Sequence, residues 1–351
     1  MNRKIGNGAR IWVAIALMMA PMMPAMAKGA ANKTRQVQAA NTKLTVGSPL
    51  TQGNMTVFPV YGGQGRKVGS AYLTLGEALK KQLIAVKELP DAEVNRVSVT
   101  SRSSRPMYLM AGEIILGGQQ DREIARDTIV PAKAQNFAVE VFCVEHGRWS
   151  GARHFGGDEI ASSALRRETQ STNEQQKVWD HVAKEAADTS SQSASGTYRA
   201  VGANKNTQQQ LAVYTKTLGR RLARDRRALG LIVAINGKVT AADVFADPQL
   251  FQQQMPKVLK SYALDAAQNR KTWNALRRKP RPSLPAARQL LKDADSGTQR
   301  TVAASSATIN RQRENSSTVT FDAAAPAANG PNGPAGNRDD AMPAHRNIYR
   351  K

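Results

Sequence analysis

The chain has 351 residues, 41% of them hydrophobic and 5% aromatic, with a formal net charge of +23 and a single cysteine. One cysteine excludes an internal disulfide framework, so a hydrophobic core must hold the fold, and the length suits one large domain or two small ones. The charge predicts attraction to envelope polyanions, while the scarcity of aromatics argues against base stacking and against specific nucleic-acid recognition.

Arg3, Lys4 and Arg10 open the chain, Ile11–Ala20 is uncharged and apolar, and Ala25-Met26-Ala27 follows two prolines. That order predicts a secretory signal peptide over residues 1–27, cleaved near Ala27, and an exported chain in the periplasm or outside the cell. The apolar run is shorter than the roughly 20 residues of a spanning helix, and no transmembrane segment is expected in the mature chain. Residues 28–43 are polar and read as a flexible leader.

Met55–Tyr61 is the first expected strand, with Pro59 marking an edge or a bulge, and Gly62-Gly63-Gln64-Gly65 is a plain turn rather than a phosphate loop. Thr74-Leu75-Gly76-Glu77 is a capping box opening a short helix. Strands are expected at Leu83–Leu89 and Val94–Thr100, separated by a Pro90-Asp91 turn. Met107–Met110 and Ile114–Leu116 read as a hairpin turned at Gly112, followed by a strand over Ile124–Val130 that Pro131 ends. Asn136–Glu145 alternates as an inner strand, with Phe137, Val139, Val141 and Cys143 on the face that carries Glu145.

Helices take over in the second half. Thr172-Asn173-Glu174-Gln175 starts one, with Val178, Trp179, Val182 and Ala186 as its stripe. After a serine-rich loop, a longer helix from Thr207 turns Leu211, Tyr214, Leu218 and Leu222 inward and Arg220, Arg221, Arg224 and Arg227 outward. Asn236-Gly237 between two apolar runs predicts a type I′ hairpin, and Asp247-Pro248 starts a further helix. These elements make a folded domain over residues 44–270. Residues 271–322 hold a basic linker, a short helix and candidate strands, 323–343 has the composition of a disordered segment, and 344–351 is a candidate closing strand. The fold class is α+β: an antiparallel, β-rich core, sandwich- or barrel-like, with helices mainly from the second half.

Several pieces together resemble the ARG and rhodanese-phosphatase-superfamily-associated domain family: TVFPVY at Thr56–Tyr61, YLTLGEAL at Tyr72–Leu79, AGEIILGGQQDR at Ala111–Arg122 and VPA at Val130–Ala132. FCVEHGRW at Phe142–Trp149, GLIVAINGKVTAADVF at Gly230–Phe245 and MPKVLKSYALDA at Met255–Ala266 complete the set. The resemblance covers roughly Leu44 to Ala267. It implies an indirect link to nucleotide or ADP-ribose chemistry, since such domains tend to be encoded near ADP-ribosylglycohydrolases and rhodanese-phosphatases. Its recurrent polar positions fall here on Glu113, Gln120, Arg122, Glu145, Arg148 and Trp149.

The block from Met107 to Gly151 gathers those residues. Glu113 and Glu145, if brought together, could act as general acid and base; the plainer alternative pairs Glu145 with Arg148 or Arg122 at the strand end. Gln120, Arg122 and Arg148 suit a carboxylate or phosphate ligand, because a guanidinium holds either one bidentately, and Trp149 offers a stacking face. Cys143 and His146 point to opposite faces of a regular strand and make a poor nucleophile–base pair. His146, His154 and His181 lack metal-ligand spacing, so neither metal nor cofactor is expected. No motif assigns a reaction. Two readings follow: an exported domain binding a small anionic ligand, nucleotide-like in the family's sense, or a non-catalytic envelope protein docking on polyanions through basic patches.

Overall fold

The computed structural model describes residues 44–62, 72–89, 94–151, 154–326 and 343–351. The expected signal peptide and leader, the glycine turn beyond Gly62, the Pro90-Asp91 turn and residues 327–342 lie outside the described residues.

Two short strands, β1 (Thr45–Val46) and β2 (Leu50–Gln52), lead to β3 (Met55–Tyr61). Then come β4 (Leu73–Thr74), α1 (Leu75–Lys80), β5 (Ile84–Glu88), β6 (Arg96–Ser101), β7 (Met107–Leu109) and β8 (Glu113–Gly117). The first half ends with β9 (Arg122–Ile124), β10 (Thr128–Val130), β11 (Phe137–Cys143) and β12 (Phe155–Ile160). Next are α2 (Ser163–Ser171), α3 (Gln175–Asp188), α4 (Arg199–Ala203) and α5 (Lys205–Arg224). The hairpin β13 (Gly230–Ile235) and β14 (Lys238–Phe245) leads into α6 (Pro248–Gln268), α7 (Arg270–Ala275) and α8 (Leu284–Ala294). The chain closes with β15 (Thr298–Ala304), β16 (Ile309–Glu314), β17 (Thr318–Ala324) and β18 (Pro343–Arg350).

These strands form three sheets. The nine-stranded sheet runs β1-β3-β13-β14-β18-β17-β16-β15, with β2 also on β3; the six-stranded sheet runs β12-β8-β9-β11-β6-β5; the third is β10-β7-β4. Every pairing among them is antiparallel except β4 with β7. The fold is α+β with a β-rich core, as the sequence predicts. One hydrophobic cluster lies between the helices and the large sheet and includes Tyr214, Leu218, Leu231, Val233, Leu259 and Tyr262. A second joins Val97, Val99, Val139 and Val141 of the six-stranded sheet to Leu75 and Ala78 of α1 and to Met107 and Leu109 of the small sheet. A third lies beneath α8, where Leu290 and Ala287 meet Phe58, Ile232 and Ile348.

Local signals translate directly into structure. Thr74 Oγ1 accepts from the Glu77 amide while Glu77 returns the bond to the Thr74 amide, which completes the capping box. Asp247 caps α6 through the amides of Gln249 and Leu250. Asn236 and Gly237 adopt φ values of 51° and 81° in a two-residue turn with Ile235 opposite Lys238, the geometry of a type I′ hairpin. On α5, Leu211, Tyr214, Leu218 and Leu222 are all buried, and each such side chain stabilises the fold by about 1.5–3 kcal/mol.

Four expectations change. Pro59 does not mark an edge: β3 is an inner strand between β13 and the pair β1 and β2, and Pro59 falls opposite the gap between those two. Gly47 N–H there donates to the Pro59 carbonyl at 2.8 Å, so the proline still takes part in the pairing. Met107–Leu109 and Glu113–Gly117 are not a hairpin, because β7 joins the small sheet and β8 the six-stranded one. Gly112, at φ 90°, passes the chain between the two, and a Cβ there would sit 2.1 Å from Arg166 Cγ. Ile124–Val130 is two strands, β9 and β10, with Asp127 in the break between them. Finally, Ala323 and Ala324, the first residues of the segment whose composition suggests disorder, are buried in β17.

Candidate functional site

Strand pairing assembles most of the predicted block. β9 lies against β11 with Arg122 opposite Cys143. Arg122 is 1% exposed. Its Nη1 donates to Gln120 Oε1 at 3.0 Å and touches Cys143 Sγ, and its Nη2 lies 3.3 Å from both oxygens of Glu88. Gln120 in turn donates to the His146 carbonyl at 3.4 Å. Burial pushes the Cys143 thiol up to about 11, so it is a protonated, inert group at neutral pH. His146 faces away, its ring edge-on to Trp179 at 4.4 Å.

Glu145 and Arg148 form the second half of this web. Glu145 Oε2 accepts from Arg148 Nε at 2.9 Å, from Arg148 Nη2 at 2.6 Å and from the Asp121 amide at 3.1 Å. Burial alone would raise the Glu145 carboxyl, but these donors hold it below the usual carboxylate range. Arg148 also donates to the carbonyls of Gly118 at 2.7 Å, Ser150 at 3.2 Å and Gly117 at 3.3 Å. Asp121 is gripped by Arg199 Nη2 at 2.6 Å and lies 3.5 Å from Arg148. This is the plainer alternative realised: a charge-assisted network that ties loop to strand. Trp149 stands 56% exposed beside it.

Glu113 lies elsewhere. Fully buried at the start of β8, it accepts from the Met110 amide at 2.8 Å and from Lys257 Nζ at 2.5 Å, and Lys257 also pairs with Asp158. Burial raises the Glu113 carboxyl above its ordinary value although Lys257 opposes the shift. The described hydrogen-bond partners of Glu113 and of Glu145 have no residue in common.

Sequence reasoning missed a second buried charged cluster, centred on His345. His345 on β18 donates or accepts at both ring nitrogens, 2.7 Å from Asp127 Oδ2 and 2.8 Å from Asp243 Oδ1. Asp243 also takes Arg166 Nη2 at 2.8 Å, Asn347 Nδ2 at 3.1 Å and the Tyr262 hydroxyl at 2.5 Å. Burial alone would lower the His345 pKa, but the two carboxylates raise it to about 9. Two cations thus balance two anions in a site closed to solvent, with His345 at 1% and Asp243 and Arg166 at 0% exposure. A ligand cannot reach it, and its work is to hold β18 in the sheet. Its one sequence signal is a histidine in the short alternating run at the end of the chain.

The arginines of α5 and its following turn differ from those of the block. Arg220, Arg221, Arg224, Arg226 and Arg227 are exposed, and among the described residues none of them makes an ion pair with a carboxylate. From Lys205 to Arg227 the sequence carries seven basic residues against one acidic. Arg277, Arg278 and Arg281 of the linker are exposed as well. Among the described residues no group of three or more His, Cys, Asp or Glu is placed to hold a metal ion, and no helix is long and apolar enough to cross a membrane.

No curated protein and no solved structure matches the chain. A family model does, over residues 43–328, a span that runs past Ala267 through α8 and β15 to β17. The chain belongs to the family of the ARG and Rhodanese-Phosphatase-superfamily-associated Protein domain.

Proposed function

We propose that the chain is an exported domain that binds anionic ligands, polyanions of the cell envelope among them, through the arginine-bearing end of α5 and the basic linker. One observation carries this reading. The arginines of the strand-end block are engaged by internal carboxylates, Arg122 by Glu88 and Arg148 by Glu145, whereas those of α5 have no described carboxylate partner. A small anion entering the block at Gln120, Arg122, Arg148 and Trp149 would have to displace a buried carboxylate, and breaking such a pair costs about 3–5 kcal/mol. The α5 arginines meet an anion without that cost. Export rests on the charged, apolar, A-x-A order of the first residues.

The test is binding of a long-chain polyphosphate to the purified chain across a salt series. Affinity is expected to fall steeply as salt rises. Replacing Arg221 and Arg224 together by Gln should lower the slope by about 1 per arginine. Binding that is absent at low salt, or insensitive to salt, rules the reading out.

A further inference from the structure

We infer that the cleft between the end of α5 and β3 is a discrete seat for a small phosphorylated alcohol. This rests on the α5 reading above and gives it a specific site. The cleft has a volume of about 350 Å³, at the lower end of the range of about 300–1,000 Å³ for ligand pockets. Its lining combines the apolar Leu50, Pro59 and Leu222 with polar and charged residues.

The cleft carries both signs of recognition. Arg221 and Arg224 both line it; three residues apart on a helix, they share a face, a spacing from which two guanidiniums can reach one tetrahedral oxyanion. Arginines at a helix C-terminus ordinarily complement the helix dipole. That explains their position but not the hydroxyls and the carboxylate that line the same cleft, Ser48, Tyr61 and Asp225. The Tyr61 hydroxyl donates to Asp225 Oδ2 at 2.5 Å, so its oxygen keeps lone pairs free to accept. The Arg227 guanidinium lies 5.7 Å from the Tyr61 ring centroid and braces it.

Part of the carbonyl end of α5 is already hydrogen-bonded. Gln252 Nε2 donates to the carbonyls of Leu222 at 3.1 Å and Asp225 at 3.0 Å, and the Asp225 amide also donates to Leu222. Two carbonyls at this end are thereby engaged, and the arginines offset the negative end of the helix dipole. Inorganic phosphate would use the arginines but has no hydroxyl at a second end to reach Tyr61 and Asp225. A ligand with a phosphate at one end and a hydroxyl at the other satisfies both: phosphate on Arg221 and Arg224, hydroxyl donating to Tyr61 or Asp225. Such a group exists free, as a polyol phosphate, or as the repeating unit of an anionic polymer.

Isothermal titration of the purified chain with glycerol 3-phosphate, inorganic phosphate and a poly(glycerol phosphate) separates these cases. Saturable binding of glycerol 3-phosphate is expected, at least tenfold tighter than inorganic phosphate. It should be lost in the Arg221→Gln/Arg224→Gln double variant, and Asp225→Asn should narrow the preference over inorganic phosphate. Unchanged unfolding midpoints in these surface variants show that they fold. Saturable binding of poly(glycerol phosphate) alone, lost in the same double variant, would support the seat and assign it to the polymer. Measurable glycerol 3-phosphate binding that is no tighter than phosphate, or binding of either glycerol phosphate that the double variant leaves unaltered, overturns the inference. If polyphosphate still binds with steep salt dependence while no glycerol phosphate binds, the seat fails and the broader reading stands; if nothing anionic binds, both fail.

Discussion

His345 on β18 and Asp243 on β14 lie 2.8 Å apart in a part of the core that water does not reach. Asp127, between β9 and β10, closes the other side of the imidazole, 218 residues away in sequence. The ring also stacks on Phe245 at 4.2 Å. The last strand is therefore held by ion pairs as well as by its two ladders with β14 and β17. Replacing His345 by Ala leaves Asp127 and Asp243 with one fewer cation, and loss of one partner from a buried pair costs about 3–5 kcal/mol. Chemical unfolding should show a loss of that size; a loss below about 1 kcal/mol would mean that the network does not hold β18.

The same groups set a pH dependence whose sign can be worked out. His345 is raised to about 9 by its carboxylates against burial, so its contribution is complete below about 6.5 and is lost as pH rises through 9. Burial pushes Glu123 up to about 8, and burial with the Glu185 charge pushes Asp265 up to about 7. These carboxyls keep protons in the fold that the unfolded chain releases near pH 4, so their contribution also declines as pH rises. Asp127 and Asp243 are shifted the other way, against burial, by His345 and Arg166; their contribution is lost only on acidification. Between pH 6 and 9 the unfolding free energy is expected to fall steadily, and Glu123→Gln should flatten the part below pH 8. A profile that is level or rising over that interval contradicts the assignment.

Gly112 offers a test of how the sheets are joined. At φ 90° with Arg166 Cγ 2.1 Å from the place of a Cβ, it permits neither a side chain nor an easy backbone change. Gly112→Ala should destabilise by more than about 1 kcal/mol, because the methyl group would push Arg166 away from Asp243. Gly156→Ala is the comparison: nothing lies within 4 Å of its Cβ position. Its unfolding midpoint should stay close to that of the parent, and equal losses at both positions would refute the close approach of Arg166 as the cause.

What the sequence made legible was local. The capping box at Thr74 and Glu77, the Asn236-Gly237 turn and the Asp247 cap each depend on neighbours a few residues apart, and the stripe of α5 repeats at helical spacing. Helix α2 escaped because its buried residues include Ser163, Arg166, Thr169 and Gln170, a polar inner face with no apolar period to detect. Arg166 is buried there because Asp243 waits for it on β14, a pairing that no window of sequence contains. The candidate block divided similarly. The meeting of Gln120, Arg122, Glu145 and Arg148 followed from strand ends, but their partners Glu88 and Asp121, and the separate fate of Glu113 beside Lys257, depended on sheet order.

Arg148 is the residue on which the two roles of that block part company. As a ligand-binding arginine it could be removed with little effect on stability. In the structure it clamps Glu145 and three backbone carbonyls, those of Gly117, Gly118 and Ser150. Arg148→Ala would leave Glu145, which is 3% exposed, with only the Asp121 amide and the Ser195 side chain as donors. Leaving a buried acceptor under-satisfied costs about 1–3 kcal/mol, and the thermal midpoint should drop accordingly. Polyphosphate binding below that lowered midpoint should remain, since the α5 arginines are untouched. Arg148→Lys is expected to recover only part of the stability, because an ammonium cannot reproduce the two-nitrogen grip on Glu145. An Arg148→Ala variant as stable as the parent but unable to bind anions would return the strand-end block to the role of ligand site and take it from α5.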